Sequence, residues 1–342
     1  MPDLPAAEDV WPEAFFSAPR WFSDTRDVRP LAMLSRHEVL MADPNEHRPI
    51  LVNYDRRTGR HKILGTIPES AAHYHRIENV TVSDSQIVWI AAVRHPDRTS
   101  PELQLWTMPI TGGHIRFVAL VAPDPDRPGV RDGRMYRLEI AGDQIVWWDD
   151  RGGSVHRVPL TGGTPALMGS GHVSTWPWAH DGRNTVTNLV TGEKRSAEKV
   201  DGTDRRCGPD WCVSGVARAA GRLTEVIVQR RDGSRRSIVP GGFRRDPLFH
   251  DRFGFFDPPK VIGEGSSIST ARVGTLENGS VIYDRCADRS AALRPKAGKP
   301  AEGELTVQVG GSLSGSPLLF WRDDARKRYT VMDLAAIPGQ GC

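Results

Sequence analysis

Apolar and polar residues alternate in short runs along most of the chain, and the runs recur. Val-Ser-Asp-Ser-Gln-Ile-Val-Trp at 82–89 returns as Ile-Ala-Gly-Asp-Gln-Ile-Val-Trp at 140–147. Each copy reads as the end of one strand, a polar turn and a β-branched strand ending in Trp, because strand side chains alternate between two faces. Leu-Trp-Thr-Met-Pro-Ile-Thr-Gly-Gly at 105–113 returns as Val-His-Arg-Val-Pro-Leu-Thr-Gly-Gly at 155–163. The Gly-Gly pair supplies the backbone freedom that a reversal needs. The two halves together predict one four-stranded antiparallel unit. The proline in its third strand suits a place near a sheet edge, where a missing N–H costs little.

Looser copies fill the rest, at 50–64, 186–192, 226–239, 280–283 and 329–332. First strands are expected near Val28, His75, Tyr136, Val173, Arg206, Pro247 and Leu305, at spacings of roughly 30 to 60 residues, the period of propeller blades. The expectation is an all-β chain, a single closed β-propeller of seven four-stranded blades over 1–342. Six blades is the alternative, if the short unit at 173–200 merges with a neighbour. Residues 1–9 are expected to be flexible. Residues 10–18 are expected to form a spare strand that closes the fold by pairing with the C-terminal blade at 328–336.

Totals narrow the class. With 38% hydrophobic and 25% charged residues the composition is that of a soluble globular protein. No apolar run approaches the roughly 18 residues that cross a bilayer, so no transmembrane segment is expected. Residues 1–9 lack the basic and then apolar pattern of a secretory leader. The 45 basic and 42 acidic residues are interspersed along the chain, which argues against a nucleic-acid partner. The expected state is a monomer without a cofactor. Of the basic residues 38 are Arg and 7 are Lys, a bias that reads as high-GC coding.

Cys207 and Cys212 bracket Gly-Pro-Asp-Trp, a turn that brings two neighbouring strand positions opposite each other. Cys286 and Cys342 are left as a second pair. Four cysteines allow three connectivities. Zinc fits this spacing poorly. Two disulfides imply an oxidising compartment, hence a secreted protein or one at the cell-envelope exterior, with the cytoplasm as the alternative.

The motif at 105–113 and its repeat resemble TolB-like propeller proteins. Ser-Thr-Trp-Pro-Trp-Ala at 174–179, the cysteine turn at 207–212 and Val-Trp-Pro-Glu-Ala at 10–14 are similar to actinobacterial exported members of that group. The resemblance implies a propeller and export. It supplies no catalytic residue.

Candidate chemistry is sparse. No nucleophile elbow, P-loop, zincin or dinucleotide motif occurs. Trp176 and Trp178, followed by His180 and Asp181, form an unusual local group. The two indoles can serve as a platform beside a titratable neighbour or as wedges between blades. His73 and His75 share a strand face and read as a ligand pair or as a polar rim. Asp124, Asp126 and Asp132 have acidic spacing but not the EF-hand pattern. Phe243 through Pro259, rich in aromatics and charge, reads as a partner surface or as a packed loop. The first functional expectation is a binding scaffold. A protein, glycan or small ligand would sit where loops meet at the channel mouth, on Trp176, Trp178, His180, Asp210 and Trp211. The second is a channel-centred hydrolase, lyase or lactonase, metal-dependent or not, whose residues come singly from many blades.

Overall fold

The computed structural model describes residues 4–22, 28–43, 49–67, 74–95, 101–121, 136–149, 153–181, 185–197, 200–216, 224–244, 248–260, 275–276, 278–294, 307–310, 318–323 and 327–339. The chain is an all-β, seven-bladed β-propeller: seven antiparallel sheets, five of them four-stranded. Six of the expected first strands begin within three residues of their predicted starts, at Arg29, Tyr74, Tyr136, His172, Thr203 and Val307. The chain divides into two compact units.

One unit holds residues 15–170 and 309–336. Its first sheet is Arg29–Met33, Glu38–Ala42, Ile50–Asp55 and His61–Thr66. Tyr74–Val82, Gln86–Arg94, Glu102–Pro109 and Arg116–Leu120 form the second. Tyr136–Ala141, Gln144–Asp149, Ser154–Pro159 and Ala166–Ser170 form the third.

Strand Gln86–Arg94 is buried at seven consecutive positions, because both its faces are covered. Ile87, Trp89, Ala91 and Val93 pack against the first sheet, while Val88, Ile90 and Ala92 pack toward the third. Trp89 and Trp147, the ends of the two sequence repeats, are both fully buried and occupy successive layers. Truncating either indole to Ala costs about 3–5 kcal/mol.

The Thr-Gly-Gly reversals do more than turn the chain. The Gly113 N–H donates to the Leu64 carbonyl of the first sheet's outer strand at 3.0 Å. A Cβ on Gly112, at φ +91°, would stand 2.8 Å from that oxygen. The repeat behaves alike: a Cβ on Gly162, at φ +94°, would meet the Val118 carbonyl at 3.2 Å. Arg116 adds a bond to the Thr161 carbonyl at 2.9 Å and one to the Leu160 carbonyl.

The last sheet of this unit is built on Leu318–Asp323 and Arg328–Asp333. Its outer strand is Phe15–Pro19, antiparallel to Arg328–Asp333 in the register Phe15↔Met332 to Pro19↔Arg328. The N-terminal strand therefore completes the C-terminal blade, as the spare apolar run predicts. Arg328 clamps it, donating to Ser17 Oγ at 2.6 Å.

The other unit holds residues 1–14, 171–308 and 337–342. Its fourth sheet is His172–Thr175, Trp178–His180, Thr185–Asn188 and Lys194–Ser196. The fifth is Thr203–Cys207, Trp211–Gly215, Glu225–Arg230 and Ser237–Pro240. Phe253–Phe256, Val281–Asp284 and Arg289–Ala292 make a three-stranded sixth sheet. In place of a regular first strand the sixth sheet has one bridge, Phe249↔Phe253. The chain turns there through two left-handed residues, His250 (φ +49°) and Asp251 (φ +56°). Residues 4–10 lie along the sixth sheet's outer edge: Ala6 bridges Ala292, whose N–H donates to the Pro5 carbonyl at 2.8 Å.

His73, the acidic loop at 124–133, Cys342 and the side chain of His75 lie outside the described residues. No helix among the described residues is long and apolar enough to cross a membrane.

Candidate functional site

In the fourth and fifth sheets, the turn after the first strand and the turn after the third lie at the same end, as antiparallel order requires. That end carries residues 176–177 and 189–193 of the fourth sheet, and 208–210 and 231–236 of the fifth. In the sixth sheet the tight reversal at 250–252 and the turn at 285–288 correspond to them. The candidate site is built from these turns.

The Cys207–Cys212 disulfide closes the fifth-sheet hairpin, and both sulfur-bearing residues are buried. Cys286 is disulfide-bonded as well. Between Cys207 and Cys212 the turn displays Pro209 and Asp210. The Gly208 N–H donates to the Trp211 carbonyl at 2.7 Å. Gly208 also leaves room for Asp251: a Cβ there would stand 2.6 Å from its Oδ1.

Four guanidinium groups converge on this turn. Arg195 donates to the Pro209 carbonyl at 3.4 Å and to Asp210 Oδ1 at 3.2 Å, and it also bonds Glu193 Oε1 at 2.7 Å. Arg231 donates to the same Pro209 carbonyl at 3.0 Å and to the Ser196 carbonyl of the fourth sheet's outer strand at 2.9 Å. Arg285 lies 4.4 Å from the Trp211 ring centroid, and Arg230 lies 5.8 Å from it. Burial lowers the pKa of Arg231, and Arg195 lowers it further. Arg285 is lowered by burial, and Arg230 adds to the effect. These like charges are close enough to repel, and an anion placed between them would relieve the repulsion.

Carboxylates balance part of the charge. Asp210 is two-thirds exposed, so its pair with Arg195 fixes geometry and adds under about 1 kcal/mol. Asp251 accepts the Trp211 N–H at 3.3 Å. Its pKa is pushed up to about 6, first by burial and then by the neighbouring Asp210 carboxylate, against the pull of Arg285. Deeper in the sixth sheet, Arg252 forks onto fully buried Asp284 with bonds of 2.9 and 2.8 Å. Its remaining N–H groups tie down the carbonyls of Ile337 and Pro338.

Against this frame the five sequence candidates divide. Trp178 and Asp210 come together across Arg195, whose guanidinium lies 4.2 Å from the Trp178 ring centroid. Trp178 is 8% exposed and packs with Val186, Ala197, Val200 and the disulfide. Trp211 is 5% exposed under Arg285. Trp176 is half-buried beside a cis Pro177, whose carbonyl accepts the Leu189 N–H. His180 stands apart, at the far end of the same hairpin, paired with His172 and stacked on it at 4.9 Å. Its pKa falls to about 3, mainly through burial, with His172 and Arg206 adding to the shift.

In the stretch from Phe243, Phe253 and Phe256 are buried, and Arg244 pairs with Asp257 at 3.0 Å. Sequence reading passed over Arg195, Arg230, Arg231, Arg285 and Asp251. The doubled arginines of Arg-Arg-Asp-Gly-Ser-Arg-Arg at 230–236 are the signal that could have found part of this group. Asp251 has no local signal.

No family model matches the chain, and no curated protein matches it. Several solved structures align with it. TolB from Acinetobacter baumannii aligns at 13% identity over 64% of this chain and 56% of that one, with a TM-score of 0.34. An oligogalacturonate lyase in complex with manganese aligns at 9% identity over 88% and 75%, with a TM-score of 0.37. The GH93 α-L-arabinofuranosidase of Fusarium graminearum aligns at 10% identity over 95% and 99%, with a TM-score of 0.36. The match to TolB spans little more than half of that protein. The chain is thus similar, at low identity, to solved structures of differently named proteins, and its chemistry rests on its own residues.

Proposed function

We propose that the chain is a binding scaffold, one propeller domain over 1–342, acting outside the cytosol and using the turns of the fourth to sixth sheets to hold a ligand. The observation that carries this reading is the convergence of Arg195, Arg230, Arg231 and Arg285 on a disulfide-closed turn. Arginine beside aromatic rings is the composition of binding hot spots. The buried indoles of Trp178 and Trp211 are supports that orient Arg195 and Arg285. Half-buried Trp176 and exposed Asp210 are the groups that meet the ligand, while His180 shapes the fourth sheet from its other end.

The test is an array of glycans and peptides probed with the full chain, alongside Asp210→Ala and Trp176→Ala. The expected result is binding to anionic glycans that weakens about tenfold in each variant, which corresponds to 1.4 kcal/mol, Asp210 acting by holding Arg195 in place and accepting from ligand hydroxyls rather than by its charge. Binding unchanged in both variants would overturn this placement of the site.

A second reading, a hydrolase or lyase, is favoured by one observation. Burial, and then the neighbouring Asp210 carboxylate, push the Asp251 carboxyl up to about 6, so that it can hold a proton close to neutral pH, as a general acid must.

A further inference from the structure

The fifth sheet ends in an unusually basic hairpin. Residues 230–236 read Arg-Arg-Asp-Gly-Ser-Arg-Arg, and Arg230, Arg235 and Arg236 are exposed. The turn is rigid: Asp232 Oδ1 accepts the Ser234 N–H at 2.9 Å and its hydroxyl at 2.6 Å. Those two bonds, the hydroxyl's first, hold the Asp232 carboxyl below its ordinary pKa and occupy its oxygen. Arg235 sits in the left-handed region at φ +47°, which sets the direction in which its side chain leaves the turn.

The basic surface continues on both sides. Toward the fourth sheet, Arg231 bonds the Ser196 carbonyl, and exposed Lys194 lies two residues before it on the same strand face. Toward the sixth, the Ser237 hydroxyl donates to Asp288 Oδ1 at 3.1 Å, and exposed Arg289 follows Asp288. The acidic groups nearby are engaged: Glu193 and Asp210 with Arg195, Asp288 with Ser237 and Tyr283, and Asp201 with Arg236 at 3.6 Å. Cations thus run across three successive sheets. A small anion would need only one such place; a polymer with repeated anionic groups uses them all.

We propose that this surface binds an anionic polysaccharide along the outer turns of the fourth, fifth and sixth sheets, with Arg235 and Arg236 as its principal contacts. The inference rests on the scaffold reading and names the ligand class for the same end of the sheets. Guanidinium forks match the planar or tetrahedral oxyanions of such polymers with paired bonds, the geometry Arg252 already makes with Asp284. A polysaccharide is favoured over nucleic acid because Cys207–Cys212 and bonded Cys286 suit an oxidising compartment, where glycans are the prevalent polyanions.

The experiment measures retention of the full chain on immobilised heparin across a salt series, with neutral dextran and duplex DNA as parallel matrices. Arg235→Gln with Arg236→Gln is the test variant, and Arg235→Lys with Arg236→Lys is its charge-keeping companion. Thermal melts confirm that both variants fold. Expected is tight heparin binding, none to dextran, a loss of about tenfold in the Gln pair at 0.1 M salt with a salt slope shallower by about two, and partial retention in the Lys pair. Heparin binding that is absent, or indifferent to the Gln pair, would overturn the proposal. DNA binding equal to heparin binding would overturn it in favour of a nucleic-acid surface. Array binding that still depends on Asp210 while heparin binding fails would leave the scaffold reading standing and remove this one alone.

Discussion

Sheets one to three and sheets four to six solve one problem in two ways. In each group a late turn must grip the outer strand of the preceding sheet. In the first group close backbone approach does it, with Arg116 adding bonds at the second dock: a Cβ on Gly112 would stand 2.8 Å from the Leu64 carbonyl and one on Gly162 3.2 Å from that of Val118. In the second group side chains do it: Arg231 reaches the Ser196 carbonyl, and Asp288 takes the Ser237 hydroxyl. The glycines themselves put no side chain at the turn for a ligand. An arginine dock leaves guanidinium edges and charge at the turn, which is where the candidate site lies. The difference teaches that the structural role of the arginines and their availability for binding come from the same substitution of side chain for backbone.

The sharpest way to break this comparison is to crowd the glycine dock. Gly112→Ala adds a Cβ 2.8 Å from a backbone oxygen at a positive φ, whereas Gly113→Ala, at φ +122°, meets nothing within 4 Å. The expected losses are about 4 kcal/mol for Gly112→Ala and about 1–2 kcal/mol for Gly113→Ala, read from urea unfolding. Equal losses would mean that the close approach has no energetic weight.

Acid separates the two groups next. His180 has a folded pKa near 3 against 6.5 in the unfolded chain. Its contribution is complete above 6.5 and is lost as pH falls toward 3, with a decline of about 3 kcal/mol already reached at pH 4. In the other unit Glu139 is raised by burial from 4.5 to about 7. Its contribution has the opposite sense: full below 4.5 and lost as pH rises through 7. Asp251, raised to about 6, follows Glu139 in sign but lies in the sixth sheet. Hydrogen exchange corrected for intrinsic rates should show Trp178–His180 losing protection between pH 6.5 and 4 while Tyr136–Ala141 does not. His180→Gln should flatten the acid limb; an unchanged limb would assign it elsewhere.

The smallest expected effect is at the arginine dock itself. Arg231→Ala removes the side-chain donor to the Ser196 carbonyl and one of the two donors to the Pro209 carbonyl, and should cost about 1–2 kcal/mol, with Arg231→Lys in between. Thermal melts indistinguishable from the parent would show that the fifth sheet is held by its apolar layers alone.

Legibility followed the range of the interaction. The strand repeats ending in Trp89 and Trp147 were readable because a period of two and a polar turn are properties of neighbouring residues. The Thr-Gly-Gly turns were readable as reversals, but their grip on Leu64 and Val118 was not, since those partners come 48 and 44 positions earlier in the sequence. The cysteine turn named Asp210 and Trp211 correctly as neighbours. It did not show that Trp211 is covered by Arg285, a residue from the next sheet. Arginine abundance read as coding bias concealed four side chains whose meaning depends on convergence. Asp251 owes its shift to burial and to a carboxylate on another sheet, and no window of sequence around it carries that information.

The Gly113 bond to Leu64 has a further consequence for behaviour in concentrated solution. An outermost strand normally offers its outward carbonyls to any extended chain that drifts past, and such offers seed intermolecular β-pairing. Here one of those carbonyls is already taken, at a bulge where the strand's register shifts. A passing chain would find its hydrogen-bond ladder interrupted midway, so the contact that joins two blades also guards the edge of the first against stray partners.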